Sequence, residues 1–567
     1  MEISKYLHAS QIAHGERKAS LVLKNAKVIN VFTEEIYQAD IAVQDGTIVG
    51  IGTYTGETEI DCRNRYVCPG LIDSHLHLES TLVAPEELIH QAALCGTTTF
   101  IVDPHESANV SGCAGVDYIL NHTEKVSANV YVMFPSCVPA TLIDDNGAYL
   151  TAKDMVPYMT NNRILGLGEV MDYSSVVNGN AEMHEKLELC KDKVKDGHAP
   201  FLSEEDLTAY SYAGIHTDHE CVDYTYAMKE RRNGITVLIR QGSAAKNLDA
   251  IVSGIVENNT DTSGFCFCTD DKHIEEIRKE GHINFNVREA IRLGISPLKA
   301  IKMATIQAAQ CYGLQHLGAI APGYQADILI LDDLESMKVH QVLYRGEIIP
   351  TDISKEHHIC PKELRNTIHL ENFSKEQLVL PCSGKEMHVI QMIDGQIGTR
   401  DVLVSIPKTD NFQADETFKK IAVIERHKGS GKVGVGIVSG FCIEHGAIAS
   451  SVSHDSHNII VIGDNDLDME LAVRELIHTQ GGYTVVENGS VYDTLPLPIM
   501  GLMSDAGYLK VNEKLEIMIK KAHEMGVSEN MDPFITLSFM ALPVIPEIRI
   551  TPRGVYDVRN SMFISTE

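Results

Sequence analysis

Between Leu71 and Leu317 the chain keeps one rhythm: a short apolar run ends in polar residues, a helical pattern follows, and the unit repeats. The runs close with LIDSHLH, TTTFIVDPHE, VYVMFPSCVP, ILGLGEVMD, KVKDGHAP, GIHTDHE, ITVLIRQGS and FCFCTDD. They recur roughly every 20 to 35 residues, the length of a βα unit. Helical patterns such as APEELIHQAALCG, NAEMHEKLELCKDKVKDG and NVREAIRLGISPLKAIKMATIQAAQCYG lie between them. Strands joined by helical crossovers run parallel, and eight such units predict an α/β fold of the (β/α)8 barrel type over residues 69–317.

The flanks have a different texture. ASLVLKNAKVIN, ADIAVQDGTIVGIG and ETEIDCRNRYVCPG are short β-rich stretches broken by turn signals such as Asp45-Gly46, and a second set follows the barrel in GAIAPGYQADILILDDLESMKVHQVLYRGEII. Neither set closes a core alone, so residues 1–68 and 318–360 are expected to build one small β-sandwich from two pieces. From 361 to 567, strand patterns, a helix in DLDMELAVRELIHTQ and a hairpin at Asn488-Gly489 predict a separate α+β domain. A chain of 567 residues with 44% hydrophobic content can bury a core in each.

A net charge of −30 argues against nucleic-acid or anionic-membrane partners, because no basic surface is left to neutralise phosphates. A neutral or cationic small molecule suits it better. No apolar run approaches the roughly 18 residues of a membrane span, and MEISKYLHASQIAHGERKAS lacks the apolar centre of a secretory signal. Thirteen cysteines without a framework read as reduced thiols, which together predicts a cytoplasmic protein.

Twenty-five histidines call for sorting. In a strand, residues i and i+2 share a face, so His75, His77 and Asp73 point the same way at the end of the first barrel strand. The fourth strand ends with Glu169, the fifth with His198, the sixth with His219 and the eighth with Asp270, all at the end where barrel active sites form. Four imidazoles and two carboxylates suit two divalent ions with Glu169, midway around the barrel, as the bridge. The set does not decide among Zn, Mn and Fe. Such ions bring a water's pKa from about 16 toward about 7. Asp270 is placed to accept the proton released and pass it on.

Other features carry less. Cys266 and Cys268 flank Phe267 as small apolar packing. No Cys-X-X-Cys occurs, which excludes the other class of zinc deaminase. His184 in a helical pattern and His357 and His358 in a polar linker read as satisfied or solvated.

PGLIDSHLHLES with the later Glu, His, His and Asp resembles the amidohydrolase superfamily. GTTTFIVDPHESANV, LGLGEVMDY, DGHAPFLSEEDLTAY, DHECV, IRQGSAAKNL, CTDD and, near the C-terminus, GAIASSVSHDSHNIIVIGDND are similar to its adenine deaminase branch, in order and over essentially the whole chain. The resemblance implies hydrolysis of adenine to hypoxanthine and ammonia in purine salvage, by a metal-bearing barrel flanked by a β-sandwich. It implies one ion on His75, His77 and Asp270, a second on His198 and His219, Glu169 between them, and manganese as the favoured metal. Ser107 departs from the aliphatic residue expected after the DPHE acid, a packing detail.

For that reaction Glu106 is the expected source of the ring-nitrogen proton, set against a role with His105 in a loop ion pair or helix start. Arg240, Gln241 and Ser243 would read a purine edge or orient acids; Ser136 and Cys137 are weaker candidates. His454, Asp455 and His457 would cap the active site, bind a further metal or satisfy a buried turn. A homo-oligomer is expected. The competing readings are another amidohydrolase, acting on a different aminated base or a cyclic amide, and a metal-bound scaffold without catalysis.

Overall fold

The computed structural model describes residues 2–243, 245–352, 359–370, 373–394, 396 and 398–564; His357 and His358 lie outside them. The barrel strands are β1 (Leu71–Leu76), β2 (Thr97–Val102), β3 (Asn129–Phe134), β4 (Ile164–Val170), β5 (Val194–Gly197), β6 (Thr217–Asp218), β7 (Thr236–Arg240) and β8 (Phe265–Cys268). All eight runs read from the sequence are strands. Neighbours pair in parallel from β1 to β5 and from β6 to β8. His216 N–H donates to the Lys195 carbonyl at 2.9 Å beside β5 and β6, and Asp270 N–H donates to the His75 carbonyl at 3.0 Å where β8 meets β1, so the ring closes. Every residue of β1, β2 and β8 is buried, as strands covered on both faces must be.

The crossover helices form for local reasons. Pro85–Leu94 begins with proline at its first turn, beside Glu86 and Glu87, where the N-terminal dipole favours acids. Ile283–Arg292 buries Ile283, Val287 and Ala290, a helical stripe of spacing four and three.

Residues before and after the barrel share one sheet. Strand 328–333 pairs antiparallel with 66–69, which pairs parallel with 19–30, over a core that includes Leu23, Ile41, Val67 and Ile330. A helix, Ile3–Ala13, precedes this sheet and buries Ile12; its apolar residues follow no clean stripe, so the sequence reading assigned none there.

The C-terminal domain is built on an eight-stranded sheet among the described residues, in spatial order 399–405, 386–392, 433–439, 418–424, 459–463, 446–450, 482–487 and 490–496. The Asn488-Gly489 hairpin has both central residues at positive φ (50° and 76°), the backbone an Asn-Gly turn favours. This domain is seated on the barrel. Ala84 N–H donates to the Ser504 carbonyl at 3.0 Å, Ser504 N–H to the Leu82 carbonyl at 2.9 Å, and Tyr508 N–H to the Glu87 carboxylate at 2.9 Å. Leu82 and Val83 join Met503 and Phe539 in one continuous apolar core.

Candidate metal centre and active site

The carboxyl ends of β1, β4, β5, β6 and β8 deliver their side chains to one buried point. Glu169 Oε1 lies 3.1 Å from His75 Nε2 and 2.9 Å from His77 Nε2; Glu169 Oε2 lies 3.0 Å from His198 Nδ1 and 3.5 Å from His219 Nε2. Asp270 Oδ1 is 3.1 Å from His77 Nε2. The donor sets group as His75 with His219 and Asp270, His75 with His77 and Glu169, and Glu169 with His198 and His219. The six residues singled out as ligands therefore converge, with Glu169 central.

The residues fit a divalent ion. His77 Nδ1 donates to the Asp103 carbonyl at 2.8 Å, which turns Nε2 toward two carboxylates, a position that a cation, proton or metal ion, must fill. Both ring nitrogens of His75 and Oε1 of Glu169 are buried without a hydrogen bond among the described residues. Buried polar atoms without partners are uncommon, and ligand atoms are one reason they occur. Burial pushes His219 down to about 3, helped by His75 beside it; His75, His77 and His198 go the other way despite burial, the first two raised chiefly by Glu169 and His198 raised to about 9 by Glu220 and Glu169.

Asp270 is fixed from behind. Its backbone is in the left-handed region (φ 57°), tolerable for an aspartate and pinned by the hydrogen bond to His75. Arg240 Nη1 donates to Asp270 Oδ2 at 2.6 Å, and the same guanidinium grips Glu220, with Nη2 to Oε2 at 3.2 Å. Arg240 thus orients acids, one of the two roles left open for it.

Ser243 is tied into its own loops: its hydroxyl donates to Glu276 and accepts from His273 N–H at 2.9 Å. Ser136 donates to the Glu169 carbonyl, and its own carbonyl accepts from the buried Lys186 at 2.7 Å, so it steadies the β4 end. Gln241 N–H continues the β7 ladder to the Cys268 carbonyl at 3.1 Å, and Cys137 is buried. Cys266 and Cys268 are buried among Ile72, Leu238 and Ala308, and all thirteen cysteines are free thiols. His184 Nε2 donates to the Val176 carbonyl at 2.8 Å.

Above the metal centre, His105 bridges two sets of groups. Its Nδ1 is 3.6 Å from Glu169 Oε1, and its Nε2 is 3.6 Å from Glu106 Oε1 and 3.9 Å from Asp455 Oδ1. Glu106 stands in the first turn of helix His105–Ser111 and meets the C-terminal domain: His454 Nδ1 is 2.7 Å from Oε1, and His457 Nε2 lies against Oε2. Arg426, fully buried, donates to the His457 carbonyl and, through its backbone N–H, to Asn458 Oδ1 at 3.1 Å, which holds this loop in place. The SHDSHN loop is therefore part of the wall of the site.

Comparison with known proteins agrees with this layout. The profile of the Amidohydrolase family matches residues 66–349, and that of the Adenine deaminase C-terminal domain matches 396–562. The adenine deaminase of Desulfitobacterium hafniense (strain Y51) is 56% identical over 551 residues, covering 97% of each chain. Those of Clostridium acetobutylicum and Petrotoga mobilis are 44% and 42% identical, each covering 97–98% of both chains. The chain belongs to the adenine deaminase family of amidohydrolases. The C-terminal domain named for the family is the one that carries the SHDSHN loop.

Three residues near this centre escaped sequence reasoning. Glu220 follows His219 directly and shares Arg240 with Asp270. Asp103 accepts the Glu169 N–H at 2.8 Å and orients His77 through its carbonyl. Asp271, adjacent to Asp270, accepts from the Ser80 hydroxyl. Each stands within two positions of a residue that was picked, and a place just after a barrel strand was the available signal.

Proposed function

We propose that the protein is an adenine aminohydrolase, converting adenine and water to hypoxanthine and ammonia, with two divalent ions held by His75, His77, Glu169, His198, His219 and Asp270. The observation that carries this reading is the convergence of four imidazoles on Glu169, with Asp270 against His77, in a family whose named relatives are adenine deaminases. Divalent ions bound there supply Lewis acidity and bring a water's pKa toward neutrality.

The remaining chemistry falls to the chain. Asp270, gripped by Arg240, takes the proton that the attacking water releases and returns it to the departing amine, which leaves as ammonia. The purine ring faces His105, Glu106 and the loop of His454, Asp455 and His457, and this wall supplies the ring-nitrogen proton. Arg240 and Ser243 act on the acids and loops around the substrate. The mixed imidazole and carboxylate set accommodates Mn, Fe or Zn, and we take manganese as the working ion.

A cytoplasmic role in purine salvage is part of this proposal, supported by free cysteines and by the absence, among the described residues, of a helix long and apolar enough to cross a membrane. So is self-association; the net charge of −30 leaves nucleic acid and anionic membranes as poor partners. Turnover of adenine by Mn-reconstituted protein, abolished by chelation and restored by metal, tests the reading. Dihydroorotate or cytosine turned over in preference to adenine would contradict it.

A further inference from the structure

Glu106 is a poor acid in this setting. Both its oxygens are taken, one by His454 Nδ1 at 2.7 Å and the other by His457 Nε2. The direction of the second contact can be worked out. Ser453 N–H donates to His457 Nδ1 at 3.2 Å, so a neutral ring carries its proton on Nε2 and donates it to Glu106. Burial, with His454 and Arg426 nearby, pushes His457 down to about 4 and keeps it neutral. A nitrogen that carries a proton is no metal ligand, so His457 Nε2 in this arrangement faces Glu106 as a donor. Glu106 is left an anion that accepts from both imidazoles.

His454 differs from its neighbour. Its Nδ1 donates to Glu106, its ring stacks on Phe539 (centroids 4.7 Å apart, planes at 21°), and no described residue hydrogen bonds its Nε2. The groups facing it are Glu106 and Asp271 from the barrel and Asp455 and His457 from its own loop. Three of the four are acids. Burial alone would lower its pKa, but Glu106 first, then Asp271 and Asp455, raise it to about 9. A carboxylate on one nitrogen and a free second nitrogen is how an imidazole is set up to exchange a proton with substrate.

We propose that His454, contributed by the C-terminal domain, protonates the purine ring nitrogen, and that Glu106 is the carboxylate that orients it. This rests on the adenine hydrolase reading. As the water oxygen bonds to C6, one water proton goes to Asp270, the C6–N1 π pair moves to N1, and N1 takes the Nε2 proton of the imidazolium. The amine then takes the Asp270 proton and leaves with the C6–N pair. The hydroxyl O–H pair becomes the carbonyl bond, and that proton returns to His454 Nε2. The sum is adenine plus water to hypoxanthine plus ammonia, with both residues restored.

The test uses full-length, metal-loaded protein. His454→Asn retains an N–H donor toward Glu106 but has nothing in the Nε2 position. It is expected to keep its metal and a KM within a few-fold, and to lose roughly 10²- to 10⁴-fold in kcat. Glu106→Gln removes the charge that raises His454, so the alkaline limb of kcat should move down from about 9 toward the ordinary imidazole value near ~6.5. A purely structural Glu106 would leave the limb where it is. Wild-type kcat in His454→Asn, or an unmoved limb in Glu106→Gln, overturns the assignment; if His454→Asn does not fold, the Glu106→Gln profile decides. Wild-type protein that turns over another base but not adenine refutes the substrate reading, and the assignment with it.

Discussion

Arg240 and Asp270 are joined by a hydrogen bond of 2.6 Å from the guanidinium to the carboxylate oxygen that faces away from His77, and the same guanidinium also holds Glu220. A planar fork spans two carboxylates, which a single ammonium does not. Arg240→Lys should keep the fold and lower kcat/KM by about 10- to 100-fold, as loss of a residue that orients a ligand does. Steady-state kinetics on adenine beside a thermal melt checks this; activity within two-fold of wild type would mean that Asp270 needs no such support.

Glu169 and Asp270 should separate under substitution. Glu169→Gln weakens the carboxylate on which four imidazoles converge, so metal content and turnover should fall together. Asp270→Asn removes the proton acceptor and should retain metal while losing ~10²- to 10⁴-fold in kcat. Elemental analysis of each purified variant, alongside ammonia release, distinguishes the two.

Asp145 ties the barrel to the C-terminal domain. Its carboxylate accepts from Lys432 at 2.7 Å and Arg553 at 2.8 Å, and its carbonyl accepts from Asn458, one residue beyond His457. Both cations are partly exposed, so Asp145→Ala should cost no more than about 1 kcal/mol of stability. The larger effect should be on the site: a several-fold rise in KM for adenine at constant metal content. An unchanged KM would show that the SHDSHN loop holds its place without this clamp.

Arg426 is a buried cation whose side chain, among the described residues, hydrogen bonds only to neutral acceptors: the carbonyls of Thr367, His457 and Met500 and the Thr367 hydroxyl. Arg426→Met strands those carbonyls in the interior and should lower stability by about 2–4 kcal/mol. A shift of the urea midpoint measures it, and no shift would mean that the loop repacks around methionine.

The barrel and its ligands were legible because they follow local rules. Strand periodicity set His75 and His77 on one face, and the strand-end position marked Glu169, His198, His219 and Asp270. What stayed hidden depends on contacts between distant parts of the chain. Glu106 meets His454 across 348 positions, and nothing near either residue announces the other. Nor does local pattern reveal that Arg240 is shared by Glu220 and Asp270. In the C-terminal domain, strand patterns were visible for 418–424, 433–439 and 459–463, but 386–392, 399–405 and 446–450 were not singled out, and the non-sequential strand order follows from no short-range signal.

The most direct test of the central claim is to follow adenine loss and ammonia release together, on Mn-reconstituted protein of measured metal content, beside guanine, cytosine and dihydroorotate. The account predicts one ammonia per adenine consumed, turnover confined to adenine among the four, and loss of that turnover on chelation. No adenine turnover with two ions bound per chain would contradict it, leaving the metal centre in place and assigning it to another substrate.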